Sequence, residues 1–117
     1  MNTRLLGAMG EQAAARYLRV NGYEICGANF VTGVGEIDII AKQKDVICFI
    51  EVKTRSLGGI ARPADAVDYR KQENIKGSAA AYMTRFSLKN KIRFDIIEVL
   101  VDENEKIKNI NHIKNAF

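Results

Sequence analysis

Gly35-Glu36-Ile37-Asp38-Ile39-Ile40 and Phe49-Ile50-Glu51-Val52-Lys53 flank the charged tetrad Lys42-Gln43-Lys44-Asp45, and these residues decide the fold. Two runs rich in β-branched residues around a polar turn predict a hairpin. A two-residue turn at Lys44-Asp45 and a four-residue loop from Gln43 to Val46 give the same register, with Asp38 opposite Glu51. Opposed residues share a face, and Lys53, two along, shares it too. Ile37, Ile39, Ile50 and Val52 are expected on the other face, in the core. Val46 to Ile50 is apolar on both faces, the mark of a central strand.

Two carboxylates opposed in a sheet repel, by roughly 4 kcal/mol at 4 Å and an effective dielectric near 20. A shared proton, a salt bridge from Lys53 or a divalent cation can each offset this. Hard oxygen ligands on a rigid hairpin suit Mg²⁺ or Mn²⁺. The plain alternative is a solvated ladder of alternating charges, which a central strand does not favour. Glu36 falls opposite Lys53 and is expected to form an ion pair with it. Gly33-Val34-Gly35 precedes a strand and lacks a third glycine, so it is no dinucleotide loop.

Outward from the hairpin the chain alternates. Thr3 is an expected N-cap for a helix to about Val20, with Leu5, Leu6, Met9, Ala13, Tyr17 and Val20 facing inward and Asn21-Gly22 as its stop. Glu11 has small or apolar neighbours on this helix, so it either points into the seam or lies at the surface beside Arg4 and Arg16. A strand is predicted from Tyr23 to Phe30, then the hairpin strands Glu36 to Ala41 and Val46 to about Thr54. Ser56 to Arg62 reads as a loop. Pro63 is expected to open a helix to about Phe86, with Val67, Ile75, Ala79, Tyr82, Met83 and Phe86 as its apolar stripe. Lys71 lies in line with that stripe, either as a flank residue or within reach of a phosphate. Strands at Ile92 to Val101 and Ile107 to Ile110, joined by a polar turn from Asp102 to Glu105, complete the order αβββαββ.

Length and composition narrow the function classes. With 117 residues, 47% apolar and 27% charged, one compact domain over residues 1–117 is expected. No run approaches a membrane span, and no secretory signal is read at the N-terminus, so the expected address is the cytoplasm. Cys26 and Cys48 are too few for a disulfide framework or zinc cluster and are expected to be reduced and buried. A single histidine, His112, weakens every Ser-His-Asp or Cys-His scheme. Chemistry here rests on carboxylates, lysine or a metal. A net charge of +4 permits a polyanionic partner.

Asp38 with Glu51-Val52-Lys53 resembles the signature of the PD-(D/E)XK nuclease superfamily. The resemblance extends to the YraN-like family of small bacterial proteins related to archaeal-type Holliday-junction resolvases. It is carried by Gly10-Glu11 with Ala14, Tyr17 and Leu18, by Gly35-Glu36-Ile37-Asp38, and by Glu51-Val52-Lys53-Thr54-Arg55. Ala66-Val67, Lys71, Ala79 and Tyr82 continue it, followed by Arg93-Phe94-Asp95, Glu98-Val99 and Asn115-Ala116-Phe117. Ile39 and Ile50 stand where leucine and valine are commoner. The resemblance implies a restriction-endonuclease-like mixed sheet flanked by helices, with Glu11, Asp38 and Glu51 as acidic metal-site positions and Lys53 as the catalytic lysine. The expected function is a metal-dependent DNA endonuclease, acting on branched or otherwise structured DNA. Mg²⁺ or Mn²⁺ would be held by Glu11, Asp38 and Glu51, with the Val52 carbonyl as a further ligand. Arg55, Arg62, Lys71 and Arg93, with Arg85, Lys89 and Lys91, would contact phosphates. Resolvase relatives act as dimers, and a homodimer fits a domain this small. The alternative is a non-catalytic nucleic-acid-binding or assembly protein on the same fold.

Overall fold

The computed structural model describes residues 2–57 and 67–117. Its elements run α1 (Thr3–Val20), β1 (Glu24–Val31), β2 (Glu36–Gln43), β3 (Val46–Ser56), α2 (Tyr69–Arg85), β4 (Lys91–Val101) and β5 (Ile107–Ile113). The strands form one mixed sheet in the order β1-β2-β3-β4-β5. Both β1-β2-β3 contacts are antiparallel. β3 and β4 run parallel, joined through α2, and β5 returns antiparallel. The predicted α/β order and mixed sheet are those observed.

Each face of the sheet buries its own core. On one side α1 lays Ala14 and Leu18 on Ile39, Ala41, Cys48, Ile50, Ile97 and Val99. On the other, Ile75 and Ala79 of α2 cover Ile37, Ile40, Ile47 and Phe49. β3, apolar on both faces, is the central strand.

Several expectations are corrected. α1 is capped by Asn2, whose Oδ1 accepts from Leu5 N at 2.9 Å, so Thr3 is already helical. Its buried residues are Gly10, Ala14 and Leu18, while Leu5 is exposed and Val20 is 79% exposed. Close approach outranks bulk here: a Cβ at Gly10 would collide with the Thr54 side chain of β3. α2 begins at Tyr69 with Asp68 as its cap. Val67 precedes the helix but is still buried in the core, and Arg62 and Pro63 lie outside the described residues. Cys48 is buried as expected, whereas Cys26 is exposed. A bulge between Ile25 and Gly27 turns it out of the pleat.

Ile37 is the correction that bears on function. It packs on the α2 side, whereas Ile39, two residues on, packs on the α1 side. Regular alternation forbids this, so β2 turns over at Asp38. β1 turns over with it. Phe30 pairs with Ile37 and Ala28 with Ile39, and the intervening Asn29 has a left-handed φ of 50°.

Candidate active site

The hairpin turns at Lys44-Asp45, with Lys44 at φ 54°, and its ladder runs from Gln43↔Val46 to Ile39↔Ile50. Asp38 and Glu51 are next in that register, where the paired ladder stops. Asp38 Oδ2 instead accepts from the Val52 backbone N–H at 2.8 Å. The carboxylate therefore stands in the gap where β2 and β3 part.

The entry to β2 is held by the loop before it. Thr32 Oγ1 accepts from Val34 N and Gly35 N, each at 3.2 Å, and lies 2.7 Å from Ser78 Oγ of α2. Gly35 is pressed on that helix: a Cβ there would lie 3.2 Å from Asn74 Cβ. Asp38 is thus delivered on a short, pinned run.

Glu51 faces α2 and is only 6% exposed. Among the described residues its Oε2 receives no hydrogen bond, although Lys71 Nζ lies 3.2 Å away, close enough for an ion pair. A buried carboxylate oxygen with no directed donor is costly and uncommon. Burial first, then a hydrogen bond with Glu51 and that residue's charge, raise the Asp38 carboxyl to about 8, against the lowering effect of the Val52 N–H. Asp38 is therefore pushed towards its protonated form near neutrality, beside Glu51. Of the three ways to relieve the repulsion, the geometry shows a salt bridge, and it comes from Lys71 and not from Lys53.

A hollow of about 300 Å³ opens on this pair, lined by Gly35, Glu36, Asp38, Glu51, Asp68, Arg70, Lys71, Asn74 and Ile75. Glu36 also lines a neighbouring hollow of about 860 Å³ with Glu11 and Asn29. With its amide turned so that nitrogen faces the two carboxylates, Asn29 donates to Glu11 Oε1 at 3.0 Å and to Glu36 Oε1 at 3.2 Å. Glu36 is thus bound to Asn29 and not to Lys53. Burial, followed by the charges of Glu36 and Glu51, raises the Glu11 carboxyl. Glu11 feels the pair's field from the adjoining hollow.

Of the expected metal ligands, Asp38 and Glu51 stand together and Glu11 stands beside them, tied to Asn29. Among the described residues, no three Asp, Glu, His or Cys side chains converge as a ready-made cage. What exists is a two-carboxylate site with one oxygen lacking a donor, and that donor set fits a hard divalent cation that fills its shell with water and phosphate oxygens.

Lys53 is half-buried beside β4, in register with Glu98. Among the described residues no carboxylate lies within ion-pair reach of it. Glu98 is instead engaged by Arg55 at 3.3 Å. Arg93, expected as a phosphate contact, is engaged within the fold. It donates through Nε and Nη2 to Asp95 at 2.9 and 2.8 Å, and through Nη2 to Tyr23 Oη at 2.7 Å. Arg62 lies outside the described residues.

Sequence reasoning missed the cluster around Asp95. Asp95 is fully buried, and it accepts from Arg93, from Asn115 N at 3.0 Å and from His112 Nε2 at 2.8 Å. His112 Nδ1 lies 3.0 Å from Tyr17 Oη, so the tautomer with a proton on Nε2 satisfies the whole chain. The available signal was an aspartate in line with Ile97, Val99 and Val101, on the buried face of β4.

The model of a family described as "Uncharacterised protein family UPF0102" matches residues 10–99. A UPF0102 protein of Acetivibrio thermocellus is 46% identical, over 99% of this chain and 93% of its own. One from Alkaliphilus oremlandii is 47% identical over the full length of both. One from Clostridioides difficile is 44% identical, again over the full length of both.

Proposed function

The chain belongs to the uncharacterised protein family UPF0102, the YraN-like group, and on that footing we propose that it is a divalent-metal-dependent endonuclease hydrolysing phosphodiester bonds in DNA. Branched or otherwise structured DNA is the proposed substrate class. The observation that carries the reading is the acid pair itself, Asp38 and Glu51 at the parted end of the central hairpin, with Glu51 Oε2 buried and without a donor. Evolution does not readily keep such a pair in a core for stability, since apolar residues of the same size fold as well or better.

In this reading Asp38 and Glu51, with Glu11 from the adjoining hollow and the Val52 carbonyl, hold Mg²⁺ or Mn²⁺. The bound cation supplies a water of lowered pKa and neutralises charge on the phosphate. Lys53, with no carboxylate within ion-pair reach among the described residues, directs its ammonium at the charge that builds on the scissile phosphate. The Asp38–Val52 hydrogen bond fixes one carboxylate against the backbone, so little reorganisation accompanies the reaction. Arg70 and Lys71 at the mouth of the hollow, with Arg55 further along the same face, meet the flanking phosphates.

A second reading, a non-catalytic nucleic-acid-binding or assembly protein, draws on the lack of three converging ligands among the described residues. Cleavage of labelled four-way junction, flap and duplex DNA with and without Mg²⁺ separates the two. Mg²⁺-dependent cutting that disappears in Asp38→Asn supports the nuclease. Binding of the same DNAs without any cutting supports the second reading.

A further inference from the structure

Lys71 touches the acid pair in an unusual manner. Its Nζ lies 3.2 Å from Glu51 Oε2, yet that buried oxygen receives no directed hydrogen bond. The ammonium supplies charge without using the lone pair. The two partners also differ in freedom: the Glu51 side chain is 6% exposed and that of Lys71 47%. The carboxylate is locked in the sheet, while the lysine reaches in from the mouth on a flexible stem. The backbone of Lys71 is fixed, its N–H donating to the cap oxygen Asp68 Oδ1 at 2.8 Å. Nζ can therefore swing while Cα stays in place.

We propose that Lys71 is a place-holder cation, neutralising Glu51 in the metal-free protein, giving way when a divalent ion binds Glu51, and then facing the phosphate drawn to that ion. The inference rests on the proposed function and adds the regulation of its site. A divalent ion sits about 2.0–2.2 Å from a carboxylate oxygen, so ion and ammonium compete for one charge position. The hollow of about 300 Å³, shared with Arg70 and Asn74, leaves Lys71 room to withdraw without leaving the site. No described carboxylate is within ion-pair reach of Lys53, the ammonium that β3 itself places on this face, so the contact with Glu51 is made by Lys71. A phosphate drawn to the ion meets the displaced ammonium, so substrate binding favours metal retention.

Calorimetric titration of the full chain with MnCl₂ at pH 8 tests this in wild type, Lys71→Met and Lys71→Arg. Lys71→Met removes the competitor and is expected to bind Mn²⁺ about tenfold more tightly than wild type. Lys71→Arg keeps the charge and is expected to stay within threefold of it. In wild type, acylation of Lys71 by an amine-reactive reagent should speed up when Mn²⁺ is added. Unchanged or weaker Mn²⁺ affinity in Lys71→Met, with binding to wild type intact, overturns the place-holder alone. Absence of Mn²⁺ binding in all three proteins overturns the metal site itself and this inference with it.

Discussion

Asp95 on β4 and the Asp38–Glu51 pair on β2 and β3 are buried carboxylates of one sheet that hold their protons in opposite ways. Burial opposes ionisation at both sites. At Asp95, hydrogen bonds from His112 and Arg93, then the Asn115 N–H, outweigh it and hold the carboxyl down at about 2. At Asp38, only the Val52 N–H works in that direction, and the carboxyl rises to about 8. One site is saturated with donors and the other lacks them. The difference teaches how to tell a structural acid from one kept for a ligand: the missing donors, more than the burial, mark the second kind.

Breaking the saturated site should have the largest effect. Asp95→Ala leaves Arg93 and His112 without their acceptor and should cost about 3–5 kcal/mol of stability in urea melts. A loss under 1 kcal/mol would show that the cluster is not the clamp its geometry suggests. At the unsaturated site the large effect should fall on rate instead. Lys53→Met keeps the aliphatic stem and removes the charge, so single-turnover cleavage should drop roughly 10²–10³-fold with the metal-free melt nearly unchanged. Cutting near the wild-type rate would remove Lys53 from the mechanism.

Acid and base should separate the two sites in opposite directions. Unfolding Asp95 takes up a proton between about pH 4 and pH 2, so its contribution, about 2 kcal/mol, is lost as pH falls through that window. Asp38 keeps its proton where the unfolded chain has lost it. Its contribution is full below about pH 4 and is lost as pH rises to about 8. Asp38→Asn, which can still accept from Val52 N–H and can donate to Glu51, should therefore melt higher than wild type in metal-free buffer at pH 9. That gap should close at pH 5. A variant less stable at both pH values would make Asp38 a structural partner like Asp95.

The same contrast explains what was readable in the sequence. The hairpin was, because Lys44-Asp45 between two β-branched runs sets both turn and register, and Asp38 and Glu51 follow from counting along it. The turnover of β2 at Asp38 was not, because it depends on Asn29 adopting φ 50° in the partner strand. The inward face of α1 was misjudged for a related reason. Periodicity weighs Leu5 and Val20 above Gly10 and Ala14, but the contact with Thr54 selects the small residues. Lys71 appeared in line with the apolar stripe, yet its pairing with Glu51 depends on where α2 is capped. The Asp95 cluster joins Arg93, two residues away, to Tyr17, Tyr23, His112 and Asn115, and no local pattern connects these last four to it.

The central claim is that the unsaturated pair is a cation site, and titrating wild type and Asp38→Asn with Mn²⁺ at pH 8 tests it most directly. The account predicts a saturable heat in wild type, with proton release from Asp38, and no such heat in Asp38→Asn. Equal binding by the two proteins, or none by wild type, would contradict it.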